Sequence, residues 1–332
     1  MEGSPAINRR NFLKQAGTLA AVSAVGGIPL SAFANGDLVS LTILHTNDVH
    51  SRIEPFPMDG SRNQGLGGVA RRATLVENIR REQRNVLLLD AGDTVQGTPY
   101  FNLFGGKVEL ELMSKMGYDA STLGNHEFDN GLEGLTSMLP YANFPFLTAN
   151  YDVSNTPIKG QTRDYIIFKK QGIRIGVFGL GIQLDGLVDP TRCGDVLYLD
   201  PIATANSIAT RLKHDYKCSL VICLSHLGYK YGDGKVSDVI LAANTRHVDL
   251  IIGGHTHTFM PKPDFIRNLD GEETIVNQVG FAGINLGRLD YVFERQSGKK
   301  RLVTASTHEI SKNMFLAKGA KNSQSTQRNY IT

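Results

Sequence analysis

Cysteine is scarce and tryptophan absent: the 332 residues hold only Cys193, Cys218 and Cys223. Three scattered thiols make no disulfide framework. Cys218 and Cys223 bracket the apolar run Ser219-Leu220-Val221-Ile222 and read as small buried hydrophobes on a strand. Excess charge is also lacking, with 35 Lys and Arg against 32 Asp and Glu, a formal net charge of +3. A nucleic-acid polymer demands a dense cationic footprint, so the balance argues against such a partner. No stable membrane span is expected. The mildly apolar stretch 16–30 is diluted by Gly17, Thr18, Ser23, Gly26, Gly27 and Pro29, whereas a span needs roughly 20 strongly apolar residues. What remains is 41% hydrophobic and 20% charged, a globular profile that excludes disorder. A chain of this length can bury a proper core, so any metal would serve chemistry rather than folding.

Residues 1–34 read as an export signal. A basic pair precedes the weakly apolar stretch, and Ala32-Phe33-Ala34 puts small residues at cleavage-site positions. The run Arg9-Arg10-Asn11-Phe12-Leu13-Lys14 resembles a twin-arginine signal. That resemblance implies the twin-arginine export machinery as a partner and a periplasmic or otherwise exported protein. Setting aside Arg9, Arg10, Lys14 and Glu2 leaves 32 basic against 31 acidic side chains, so no basic surface is implied. Residues 311–332 hold four basic and no acidic side chains and are mostly polar, which predicts a disordered tail. The folded domain is expected at 35–310.

Within it, short β-branched or leucine-rich runs alternate with helical-period segments, the pattern of βαβ units around a sheet. Strands are predicted at 41–44, 86–89, 144–147, 173–178, 220–224 and 250–252. Most are apolar on both faces, which predicts sheets covered on both sides. Helices are predicted at 69–81, 108–116, 132–139, 203–216 and 236–244. After His257 the texture changes to strand and turn, and 274–279, 288–293 and 301–306 are expected as strands of a second sheet.

Chemistry-bearing residues stand where the strands end. Asp48-Val49-His50 follows the first strand, Asp90-Ala91-Gly92-Asp93 the second, and Gly124-Asn125-His126-Glu127 the short run 120–123. Ser225-His226 closes the strand ending at Leu224, and Gly253-Gly254-His255-Thr256-His257 follows 250–252. An open α/β sheet places its ligand crevice beyond the carboxyl ends of its strands, so the five clusters should converge. Carboxylate, amide oxygen and neutral imidazole together suit Mn, Fe, Zn or Co rather than Mg or Ca. Two such ions roughly 3.5–4 Å apart generate hydroxide near neutral pH and clamp a displacement at phosphorus. The implied reaction class is phosphoester hydrolysis. His45, His214, His247 and His308 lack such company and are expected to be structural or exposed.

Asp48-x-His50, Gly92-Asp93, Gly124-Asn125-His126-Glu127, His226 and Gly254-His255-x-His257 resemble, in order, the signature of the calcineurin-like metallophosphoesterase superfamily. The stretches Leu44-His45-Thr46-Asn47-Asp48-Val49-His50 and Gly124-Asn125-His126-Glu127-Phe128-Asp129-Asn130-Gly131 resemble its 5′-nucleotidase branch, as do Gly67-Gly68-Val69-Ala70-Arg71 and Asn285-Leu286-Gly287-Arg288-Leu289. The resemblance implies an α/β fold, a four-layer α/β/β/α sandwich. It implies two divalent metal ions, one on Asp48, His50 and His257, the other on Asn125, His226 and His255, with Asp93 bridging. It implies His126 beside the phosphate as hydrogen-bond or proton donor, oriented by Asp129.

The substrate implied is a small phosphate monoester, in the first place a nucleotide. Activity as a 2′,3′-cyclic nucleotide phosphodiesterase, a nucleotide-sugar diphosphatase or a sulfur-ester hydrolase stays open. So does a non-catalytic binding protein stabilised by metal. Two-domain 5′-nucleotidases carry a second, substrate-holding domain, and no counterpart of it is expected within residues 1–332. Either the chain acts alone, with an open site and broad or non-nucleotide substrates, or a separate substrate-binding chain docks near the site.

Overall fold

The computed structural model describes residues 37–315 and 329–331; the expected export segment lies outside the described residues. An eight-stranded sheet runs in the order β16 (Asn329–Ile331), β15 (Lys300–Glu309), β14 (Asn285–Glu294), β1 (Leu38–Thr46), β2 (Val86–Asp90), β3 (Ala120–Thr122), β4 (Phe146–Leu147) and β6 (Thr162–Arg163). A six-stranded sheet runs β12 (Asp264–Arg267), β13 (Glu273–Asn277), β11 (Leu250–Gly253), β10 (Leu220–Ser225), β8 (Ile173–Leu180) and β7 (Tyr165–Lys170). A two-stranded pair joins β5 (Tyr151–Asp152) to β9 (Leu197–Tyr198).

The alternation of side chains along the strands builds the layers. Val39, Leu41 and Ile43 of β1 and Leu87 and Leu89 of β2 meet Leu220, Ile222 and Leu224 of β10 and Leu250 and Ile252 of β11 in one buried cluster between the sheets. Leu44 and Leu88 point the opposite way, onto α1 (Val69–Glu82), α3 (Lys107–Met116) and α4 (Gly131–Met138) through Val76, Ile79, Leu110, Met113 and Leu135. Helix α2 (Pro99–Phe104) precedes α3, and α5 (Pro190–Cys193) follows β8. On the far side, Val221, Cys223 and Ile251 face α6 (Pro201–His214) and α7 (Asp238–Asn244) through Ala205, Leu212 and Leu241. Each fully buried Val, Leu, Ile or Met among them contributes about 1.5–3 kcal/mol. The result is the expected helix, sheet, sheet, helix sandwich.

Strands β1, β2, β3 and β4 are mutually parallel, and so are β8, β10, β11 and β13. Their carboxyl ends therefore gather at one edge of each sheet, and the loops leaving them form the site.

Two expectations are corrected. Only β13 of the three late strands joins the second sheet. β14 pairs antiparallel with β1 over eight residues and β15 with β14, so both extend the first sheet. Local patterning marks a strand but not its partner. The tail is not unstructured throughout either: Lys312–Phe315 forms a short 3₁₀ turn, and β16 hydrogen-bonds to the edge strand β15. An edge strand offers unpaired backbone donors and acceptors that even a polar segment can satisfy. Strands β7 and β12 escaped the sequence reading; both are edge strands with half-buried side chains.

Candidate metal centre

The seven residues expected as ligands come together at this edge, carried by five loops. Two groups of donor atoms form, Asp48 with His50 and His257, and Asp93 with His226 and His255; within each, the atoms lie within 4.8 Å of one another. His50 Nε2 and His257 Nε2 are 2.9 Å apart, and His257 Nε2 is 3.5 Å from Asp48 Oδ1. His226 Nε2 stands 3.0 Å from Asp93 Oδ2 and 4.0 Å from Asp48 Oδ1, so the fully buried His226 links the groups. Asp93 Oδ2 is also 3.9 Å from His50 Nε2, which sets this carboxylate between the two sets of donors. Asn125 joins the second group, its Oδ1 2.9 Å from His255 Nδ1.

The loops hold these groups by main-chain bonds and by unusual backbone. Asp48 N–H donates to Gly92 O at 2.9 Å and His50 N–H to Asp93 O at 3.0 Å, zipping the first loop to the second. Asp48, His50, Asp93, His255 and His257 all have left-handed φ, between 50° and 70°. For a non-glycine residue that conformation is uncommon and costs about 1–3 kcal/mol, and five of the seven expected ligands bear it. Gly124 serves a different need, since a Cβ there would collide with the Asp93 carboxylate and the His226 ring.

A further shell of polar groups fixes the donors. His226 Nδ1–H donates to Ala91 O at 2.7 Å, which leaves its Nε2 to face the site. Asp48 accepts the His255 N–H and, at 2.6 Å, the Asn47 side-chain amide. Buried Glu127 accepts from the N–H groups of Asp93, Thr94 and Gly124 at 3.0, 2.8 and 2.6 Å. His126 Nδ1 lies 2.8 Å from Asp129 Oδ2, and its N–H donates to Asp93 Oδ1 at 2.9 Å.

Electrostatics follow from this burial. Burial pulls the His255 imidazole down to about 4 and lowers that of His50. Burial also opposes charge on His226, but the adjacent Asp93 carboxylate outweighs it and carries the imidazole up to about 10. Against its own burial, Asp93 is held well below the usual carboxylate range by His226. The hydrogen bond to Asp129 raises His126.

The residues suit a pair of cations. His226 Nε2 is buried and faces carboxylate oxygens, Asp93 Oδ2 at 3.0 Å and Asp48 Oδ1 at 4.0 Å, without a well-formed hydrogen bond, and His50 Nδ1 is buried with no hydrogen-bond partner. Buried polar atoms are rarely left so, and a cation beside Asp93 accounts for the nitrogen of His226. Nitrogen and oxygen donors in this mixture match borderline divalent ions. Proton and metal would compete for the same imidazole, so uptake releases protons.

Glu127 and Asn47 were visible within their motifs, but their capping of loop amides was not. Asp238 gave no signal at all: it opens α7, accepts from Ser225 Oγ at 2.5 Å, and burial raises its carboxyl to about 8. Among the remaining histidines, His45 is buried and receives the Asn277 amide at 2.9 Å, while His214 and His247 pair at the surface.

A family model, calcineurin-like phosphoesterase, matches residues 41–259. A snake venom 5′-nucleotidase from Crotalus adamanteus is 36% identical over 275 residues, spanning 76% of this chain and 45% of the relative. The 5′-nucleotidase of Bos taurus is 35% identical over 81% of this chain and 49% of its own length. The chain thus spans about half the length of these curated relatives. The crystal structure of a 5′-nucleotidase precursor from Thermus thermophilus superposes with a TM-score of 0.73 at 32% identity, covering 84% of this chain and 57% of that one. The chain belongs to the calcineurin-like phosphoesterase family, and its 5′-nucleotidase homologues match it through their N-terminal catalytic domain.

Proposed function

We propose that the protein hydrolyses phosphate monoesters, nucleotides foremost, in the manner of a 5′-nucleotidase, after export. The observation that carries this reading is the meeting of two adjacent donor groups with a histidine clamped by a carboxylate. Asp48, His50 and His257 would hold one divalent cation, and Asn125, His226 and His255 the other, with Asp93 between them. Bound there, the two cations would acidify water and neutralise phosphate charge.

The chain's own residues supply the rest. Asp129 accepts the Nδ1 proton of His126, which fixes the ring and turns Nε2 outward. His126 is one-third exposed, so a substrate can reach it. Its proton at Nε2 can pass to the leaving oxygen as the P–O bond breaks. Glu127 and Asn47 keep the loops from relaxing out of their strained form. Export rests on the Arg9-Arg10 run.

The test is phosphate release from AMP by the purified chain. Activity should vanish with a chelator and return with Mn²⁺. Chelator-resistant hydrolysis, or none in the presence of any divalent transition metal, would refute the proposal.

A further inference from the structure

A pair of histidines meets far from the metal centre. His214 ends α6, ahead of β10, and His247 stands just ahead of β11, so both lie at the amino-terminal edge of parallel strands whose carboxyl ends lead into His226 and His255. Strand β10 has six residues, and at roughly 3.3 Å per residue its two ends are about 20 Å apart. The Nε2 atoms of the two imidazoles are 3.2 Å from each other. Two nitrogens bound to one tetrahedral zinc ion at about 2.0–2.1 Å stand roughly 3.3–3.4 Å apart. The ring centroids are 4.8 Å apart and the rings are inclined at 87°. Nitrogens meeting end to end would set the centroids a full ring width beyond 3.2 Å. The two therefore converge at an angle, away from the straight line that a hydrogen bond prefers.

The surroundings hold this geometry from three elements. His247 Nδ1 lies 3.1 Å from Asp270 Oδ2, in the turn between β12 and β13. A carboxylate can only accept, so Nδ1 carries the proton and Nε2 presents its lone pair to His214. The same Asp270 oxygen accepts the His247 backbone N–H at 3.2 Å, and Arg246 N–H donates to Asn206 Oδ1 of α6 at 2.9 Å. Leu269 N–H closes the third side on Thr245 O at 3.1 Å. His247 is itself held in left-handed backbone, at φ 62°, a conformation uncommon for a residue with a side chain. We propose that His214 and His247 form a surface binding site for a divalent transition-metal ion, zinc by its geometry, separate from the catalytic centre. The two imidazoles supply two bonds and water the others, since His214 is exposed and His247 half-buried. A site of nitrogen donors alone takes Zn, Ni or Cu well ahead of Mn, which binds weakest in the divalent series.

The experiment counts metal on the full chain by elemental analysis after equilibrium dialysis, against Mn²⁺ or against graded free Zn²⁺. The zinc-dialysed wild type should hold one ion per chain more than the manganese-dialysed wild type. His214→Asn and His247→Asn should each lose that one zinc and keep the rest. Asp270→Asn should keep the site but weaken its zinc affinity by about 10–100-fold. Because the readout is the difference between wild type and variant, it stands whatever the catalytic centre binds or hydrolyses. Equal zinc content in the wild type and both histidine variants, or a wild type holding no more zinc than manganese, would overturn the proposal.

Discussion

Between the two sheets, Leu41, Leu87, Ile222 and Leu250 are fully buried, apolar and carried on regular strands. A few residues farther along the same strands, Asp48, Asp93 and His226 are equally buried but polar, and the first two sit in left-handed backbone. One region satisfies every local preference of its sequence and the other violates several. The difference shows how the fold divides labour. Apolar packing stabilises the sandwich, and the rigid strand ends hold loops in conformations those loops would not adopt alone. Strain and desolvated charge are concentrated where cations and phosphate would offset them.

Three substitutions can break or sharpen that contrast. The largest expected effect falls at the edge. His126→Ala should lower kcat by about 10²–10⁴ while metal content by elemental analysis stays at two ions, because His126 is absent from both donor groups. Retained turnover would remove it from the chemistry. Next comes the core: Ile222→Ala should cost about 2–5 kcal/mol of unfolding free energy by denaturant titration, with kcat of the folded fraction near wild type. If kcat fell by orders of magnitude instead, core and edge would not be separable as described.

The smallest effect is a shift in pH dependence. His126 is raised above an ordinary histidine first by its hydrogen bond to Asp129. A group that must be protonated to act loses activity as pH climbs through its pKa, so kcat should fall on the alkaline side. Asp129→Asn removes the charge that holds the proton and should move that limb to lower pH. A limb that stays put would mean Asp129 does not govern the proton.

Legibility in the sequence divides along the same line. Strands β1, β2, β8, β10 and β11 could be read because they are buried on both faces over most of their length and rich in Leu, Ile and Val. Edge strands β7 and β12 could not, because half-exposed side chains leave a weaker pattern. The order of Asp48, His50, Asp93, Asn125, His126, His226, His255 and His257 was readable, since the loops after parallel strands must share an edge. The pairing of β14 with β1 was not, because it joins segments more than 200 residues apart in the chain.

By itself the sequence determined that there would be a doubly covered sheet fold and which donor side chains would stand at its strand ends, because hydrophobic periodicity and motif spacing are local properties. Only the tertiary structure decided that His226 Nε2 meets Asp93, that Glu127 caps three loop amides, that Asp238 is buried beneath the site, and that His214 meets His247. Those contacts join remote segments, and distances between remote segments are set by how whole layers pack.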